Sequence, residues 1–272
     1  MNTTVVRLDG TTYDLAQLGI MTRDFNPSSP SYEHVTEKIE GQHGEISTMT
    51  TIGTRTISCS FYLKAVNSED YALFRDEVFA IFHSEEAFYL IDSRNPGKRW
   101  KVKGNSSFSV EQTYKHGFFD VEFVAFMPFA ESVGTTQDDF TFDSELWQIG
   151  QGLLVDEESQ KYTFDSSSFR VYNAGNVTVN PRELPLTITF TGTSSTLKIK
   201  NTTTNEEWQY TGTTVSGDTV KLDGVKSLKN NGSIFKDTNY QLITLKPGWN
   251  NFEITGASGA FSISFLFRYY YL

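Results

Sequence analysis

The sequence predicts a mainly β chain in two parts, an α+β domain of antiparallel sheet with one helix followed by a β-sandwich. Three observations carry this reading. Apolar and polar residues alternate with period 2 along most of the chain. One stretch, residues 68–88, breaks that alternation with apolar residues spaced three and four apart. In the second half, turn signals recur at intervals of roughly eight to twelve residues with no helical pattern between them.

The first strands are "YEHVTEKIEG" and "TMTTIGTRTISCSFYL". In the latter, Ile57, Cys59, Phe61 and Leu63 alternate with Thr56, Ser58, Ser60 and Tyr62, so one face is apolar. Cys59, the only cysteine, has no partner in the chain and reads as a small buried apolar residue rather than a reactive thiol. The helix follows. Ser68 suits its N-cap, Glu69 and Asp70 suit the positive end of the helix dipole, and Tyr71, Phe74, Val78 and Phe82 form a stripe that packs on the sheet.

Next, "FYLIDS" and "RWKVKG" flank Asn95-Pro96-Gly97-Lys98 as a hairpin. "FSVEQTYK" then turns around His116 and Gly117 into "FFDVEFVAFMPF". "AESVGTTQDDF", residues 130–140, is small, polar and acidic, as in an exposed linker. The expected boundaries are a first domain over 1–131, a linker over 132–138 and a second domain over 139–272. In that second domain "LTITF" turns Leu186, Ile188 and Phe190 inward, and "TLKIKN" does the same with Leu197 and Ile199. "NNFEITG" and "FSISFLFRYYYL" read as the last two strands.

The 39 Phe, Tyr and Trp residues give each part enough apolar bulk to fold without staples. Net charge is −10, with 12 basic against 18 acidic residues over 1–137 and 11 against 15 beyond. Both parts would repel a nucleic-acid backbone, which excludes specific DNA binding. The opening "MNTTVVRLDG" is no secretory leader and no segment approaches the roughly 20 apolar residues of a membrane span. Folding in a cytoplasm without membrane insertion is the expectation.

The chain lacks a Gly-rich phosphate loop, G-x-S-x-G, H-E-x-x-H and any cysteine cluster. His34, His43, His83 and His116 are scattered along the first part. Acid pairs such as Glu157-Glu158 read as solvated turns rather than as the two carboxylates of a glycosidase. The expectation is a chain without catalytic, cofactor or metal site.

Several segments in order, "YNAGNVTVNPRELPLTITFTG", "LKIKNTTTNEEWQYTG", "GDTVKLDG", "LITLKPGWNNFEITG" and the closing "FSISFLFRYYYL", follow a mostly β domain with one helix. In that arrangement the chain resembles the siphophage distal tail protein family, often called Dit. The specific parts are Asn173-Ala174-Gly175-Asn176 followed by Pro181, the Gly217-Asp218 turn, and the turn from Leu245 to Asn251. The resemblance implies a hexameric ring, with N-terminal belt domains around a channel that DNA passes and galectin-like sandwiches outside. It implies a place at the virion tail tip, after assembly in the host cytoplasm. Its implied partners are other copies of itself, the tail tube protein, the tail-tip protein and receptor-binding or baseplate proteins.

In the first domain the long strands would leave backbone edges open in a monomer, so Val35, Ile39, Ile52, Ile57 and Phe61 mark the candidate subunit-interface strands. Glu37, Glu40 and Glu45 are candidate acids of an acidic channel. The alternative reading is a carbohydrate-binding protein that recognises host wall glycan through the C-terminal sandwich, and a third is a wall-degrading glycosidase. Asn180-Pro181-Arg182-Glu183 echoes a galectin string, but Thr178 stands where that signature has His. Arg182 and Trp249 are the candidate glycan contacts; as a loop, the same string ends one strand at Pro181 and opens the next at Pro185.

Overall fold

The computed structural model describes residues 1–272 except for the side chain of residue 142. The chain divides into two units, with the boundary after Ala130. The expected linker, 132–138, is instead part of the second unit. Its small residues are there to fit a packed site: Ser132 and Thr136 are buried, and the Thr136 hydroxyl donates to the Phe265 carbonyl at 2.8 Å.

The first unit contains β1 (Thr3–Arg7), β2 (Thr12–Asp14), β3 (Ile20–Pro27), β4 (Tyr32–Glu37), β5 (Ile46–Ile52), β6 (Arg55–Lys64), α1 (Ser68–Ile81), β7 (Phe88–Asp92), β8 (Lys98–Gly104), β9 (Glu111–Thr113) and β10 (His116–Ala125). The strand order is β2-β1-β7-β8-β10-β6-β3, with β9 added to the start of β10. Alternation sends Ile57, Cys59, Phe61 and Leu63 of β6 and Phe119, Val121 and Phe123 of β10 into one core. Phe82 joins it from the end of the helix, 5.3 Å from Phe61 and 5.6 Å from Phe123 between ring centroids. Cys59 lies in this core, and burial pushes its thiol well above the ordinary range, as expected of an inert packing residue.

Helix α1 begins one residue away from the expected cap. Asn67, not Ser68, is the N-cap: its side chain accepts from the Asp70 amide at 2.8 Å while the Asp70 carboxylate accepts from the Val66 amide. At the other end, the exposed carbonyls find an unforeseen partner in Arg7 of β1. Its guanidinium donates to His83 and Ile81, each at 2.6 Å, and to Ala80 at 3.1 Å, and lies 4.7 Å from the Phe88 ring. A cation here satisfies orphan acceptors and complements the dipole at once. The turn between β9 and β10 also falls earlier than expected, at Tyr114 and Lys115, with Tyr114 at φ 59°.

The boundary falls within β11 (Ala130–Ser132), and the second unit holds the rest of it with β12 (Thr163–Phe164), β13 (Ser168–Asn173), β14 (Leu186–Asn201), β15 (Glu206–Thr214), β16 (Thr219–Asp223), β17 (Lys226–Lys229), β18 (Gly232–Ser233), β19 (Gly248–Phe267) and β20 (Tyr270–Tyr271). "LTITF" and "TLKIKN" are one strand, β14, and "NNFEITG" and "FSISFLF" are one strand, β19. The short stretches between them, each with one glycine, bend each strand instead of reversing it. Leu186–Gly192 pairs with Phe261–Phe267 beside β16, whereas Leu197–Asn201 runs beside β15 and, from Lys198 on, pairs with Phe252–Thr255. Two layers therefore share the same two strands. They meet across Phe252 and Phe265, with ring centroids 4.8 Å apart, and across Phe164 and Phe169, 4.2 Å apart.

At the bend, Gly256 has φ +83°, and a Cβ there would lie 2.4 Å from the Thr196 carbonyl oxygen and 2.6 Å from that of Ser195. Gly256→Ala should cost more than about 1 kcal/mol, because strain and a backbone clash act together; urea unfolding of the full chain measures it. Arg7→Met should cost about 2 kcal/mol through the lost charge-assisted bonds, with Arg7→Lys recovering part of the loss. Thermal melts of the three proteins at one pH check the order.

Candidate functional site

Between Pro27 and Arg55 the chain leaves the sheet of the first unit as a separate two-stranded ribbon, β4 with β5. The ribbon prolongs the β3 and β6 pair, which runs from Ile20 opposite Leu63 to Pro27 opposite Ile57 with a one-residue shift of register at Arg23, between Thr22 and Asp24. Its root is pinned. Ser28 and Thr56 exchange backbone and hydroxyl bonds, Gly53 donates to the Ser31 carbonyl, and Arg55 donates Nε to the Ser28 carbonyl at 2.6 Å while its guanidinium sits 4.8 Å from the Trp100 ring. Burial lowers the pKa of Arg55 from the ordinary arginine value.

Beyond that root, every residue of β4 is exposed, and so is every residue of β5 except the half-buried Ile52. Val35 stands opposite Met49, and Glu33 opposite Thr51. Val35 and Met49 therefore share a face, to which Glu33 and Glu37 return two residues to either side. Val35 is 49 % exposed, Ile46 51 % and Met49 55 %. Such side chains are normally covered, and an isolated two-stranded ribbon is marginal by itself.

The sequence candidates divide here. Val35 and Ile52 lie on the ribbon and Ile39 follows β4 at its tip. Ile57 and Phe61 do not belong with them. Both are fully buried, and β6 is hydrogen-bonded along one side to β10 and along the other to β3, so it has no free edge to offer a second chain. The alternation in "TMTTIGTRTISCSFYL" runs on through Gly53 and Thr54, but the pairing partner changes there, and only the second piece is core. Glu37 and Glu45 stand at the outer end of the ribbon, with Glu40 exposed in the loop between them. Sequence reasoning missed Met49 and Ile46 as ribbon residues, although their place in the same Thr-rich segment could have flagged them.

In the second unit, Arg182 and Trp249 lie on different elements. Asn180 closes a turn by accepting from the amides of Arg182, Glu183 and Leu184, which leaves Arg182 exposed on that turn. Trp249, the second residue of β19, stands opposite Tyr172, with the Arg170 guanidinium 4.3 Å from its ring and Arg170 itself paired with Glu158. Trp147 and Trp208 are buried and offer no platform to a sugar.

The segments that suggested a family serve the fold. Asn173 donates to the carbonyls of Val177 and Leu245 and accepts from the Gly175 amide; Asn250 accepts from the Lys246 amide and donates to the Lys246 and Gly248 carbonyls; Asn201 donates to the Thr244 carbonyl and to Asn250. All three asparagines are buried and tie loops to strands. Among the described residues no group of three His, Cys, Asp or Glu side chains could hold a metal ion, and no helix is long and apolar enough to cross a membrane.

Residues 8–125 match the family model of the phage tail protein RIFT-related domain. The solved SPP1 Dit protein, described as a paradigm of the hub adsorption apparatus of phages infecting Gram-positive hosts, is 14 % identical and superposes over 98 % of this chain and 99 % of its own with a TM-score of 0.69. Two chains from structures of the phage P2 baseplate in its activated conformation, with Ca and with Sr, are 8 % identical. They align over 97 % of this chain and 97 % of their own at TM-score 0.45, and over 98 % and 97 % at 0.46. No curated protein sequence matches the chain. Residues 8–125 thus carry a match to the phage tail protein RIFT-related domain, and the chain shares the fold of the SPP1 Dit protein.

Proposed function

We propose that this chain is the structural hub of a long, non-contractile phage tail tip. Six copies form a ring through their first units, and the ring joins the tail tube to tail-tip and receptor-binding proteins at the end of the virion. The bore lets DNA pass without holding it. The single observation that carries the ring is the β4 and β5 ribbon: an exposed extension, with uncovered apolar side chains, of the one domain that matches a phage tail family, anchored at its root and bare beyond it. The fold shared with the SPP1 hub protein supports the tail-tip placement. The acidic balance of the chain supports free passage of DNA, since like charge keeps a duplex from adhering. The role is one of assembly rather than turnover.

Magnitudes favour a closed ring over a dimer. Covering the exposed halves of Val35, Ile39, Ile46 and Met49 would release about 1 kcal/mol each. Association costs about 4 kcal/mol or more in lost translation and rotation. One ribbon in one contact barely breaks even, whereas a ring gives every copy both a donated and a received contact.

Light scattering on the full chain, alone and with its tail partners, should find a six-copy species. Replacing residues 30–53 by Asn-Gly, which joins the strands across a tight turn, should leave a folded chain that stays monomeric at concentrations where the full chain assembles. Assembly of that shortened chain, or a full chain that remains monomeric even with its partners, would overturn the proposal.

A further inference from the structure

The ribbon leaves from one end of the β3 and β6 pair, and the opposite end of the same pair carries an unusual solvent face. Met21, Tyr62 and Phe118 are direct cross-strand neighbours on β3, β6 and β10. Their neighbours on the core side, Ile20, Phe61, Leu63 and Phe119, are buried, so this row points outward. Met21 is 59 % exposed. The Tyr62 and Phe118 rings lie 5.2 Å apart, and the Tyr62 hydroxyl and His116 Nδ1 share a hydrogen bond of 2.6 Å.

Charge along this face is segregated. Around the aromatic row stand Arg23, whose guanidinium lies 5.5 Å from the Phe118 ring, Lys64 opposite His116, and Lys115; Glu111, opposite Phe118, is the carboxylate in that row. Toward the ribbon end the outward residues of β6 and β10 are Ser58, Ser60, Asp120 and Glu122. The ribbon has the inverse character. Between Tyr32 and Ile52 it carries four Glu and one Lys, and its Val35 and Met49 face is edged by Glu33 and Glu37.

We infer that the ribbon of one copy docks its Val35 and Met49 face on the Met21, Tyr62 and Phe118 face of the next copy, with Glu33 and Glu37 set against Arg23 and Lys64. This rests on the ring reading above and names the surface that receives the ribbon. Ribbon root and receiving row lie about 17 Å apart along β6, the rise of the five residues from Ile57 to Tyr62. Donor and acceptor at opposite ends of one strand pair make a head-to-tail contact, the kind that generates rings. The acidic end of the same face would repel the ribbon, which fixes where on the face it sits.

Two folded variants test this. Glu33→Lys with Glu37→Lys reverses the ribbon, and Arg23→Glu with Lys64→Glu reverses the receiving face; all four positions are exposed. Each variant alone should need at least about tenfold higher concentration to assemble than the wild-type chain. An equimolar mixture should assemble near the wild-type concentration, because each ribbon then meets an opposite face in alternating copies. Circular dichroism and melting temperature verify that both variants fold. If the wild-type chain forms rings and either variant assembles as well as it does, or if the mixture fails to recover, the docking surface is wrong and the ring stands. If the wild-type chain forms no ring, both fall together.

Discussion

The register between β3 and β6 is the constraint on which the first unit depends. With Ile20 opposite Leu63 and, beyond the one-residue shift at Arg23, Phe25 opposite Cys59, the inward residues of both strands meet the Phe-rich core and the outward ones meet water. A slip of one residue would exchange those sets, exposing Phe61 and burying Tyr62 with its hydrogen-bonded His116. The same register points the chain outward at Pro27 and Arg55, so the ribbon inherits its direction from the core. Arg55 and Ser28 make that inheritance stiff, because they hold the first residues of the ribbon to the last residues of the sheet. Core packing and the exposed extension are thus one decision of the chain.

The second unit solves a different problem with a similar economy of parts. Its two layers are not separate sheets joined by loops; β14 and β19 run through both, and a change of neighbours along their length defines the layers. Glycines with positive φ at the bend allow what a side chain would forbid. The buried asparagines then fasten the long loops onto this frame.

Period-2 alternation made the strand faces legible, and the inward positions Leu186, Ile188, Phe190, Leu197 and Ile199 are all buried. Helix α1 was legible from its stripe because Tyr71, Val78 and Phe82 lie on one side of it. Its cap was displaced by one residue, since Asn67 and Ser68 are both capable and only the Asp70 carboxylate decides between them. What alternation could not show is where a strand changes partners. This one blind spot divided β14 and β19 into four strands, merged β5 with β6, and put Ile57 and Phe61 beside Val35 as interface candidates. It also hid the packing of 132–138, because small polar residues look the same in a linker and in a tight buried corner. The Asn-rich strings were visible for their order, yet whether they hold a ligand or a loop depends on carbonyls such as that of Leu245, 72 positions away from Asn173.

The asparagine pegs carry a final implication. Carboxylate clamps loosen in acid and disulfide staples open to thiols, whereas a carboxamide neither gains a proton nor exchanges electrons in the range proteins experience. Asn173, Asn201 and Asn250 anchor their loops with that uncharged group, joined at Thr244 by the Glu206 carboxylate, and the chain's one cysteine lies in the other unit. Changes of redox state in the medium therefore find nothing to act on at these three anchors, and acid reaches the Thr244 loop only through the Glu206 carboxylate beside them.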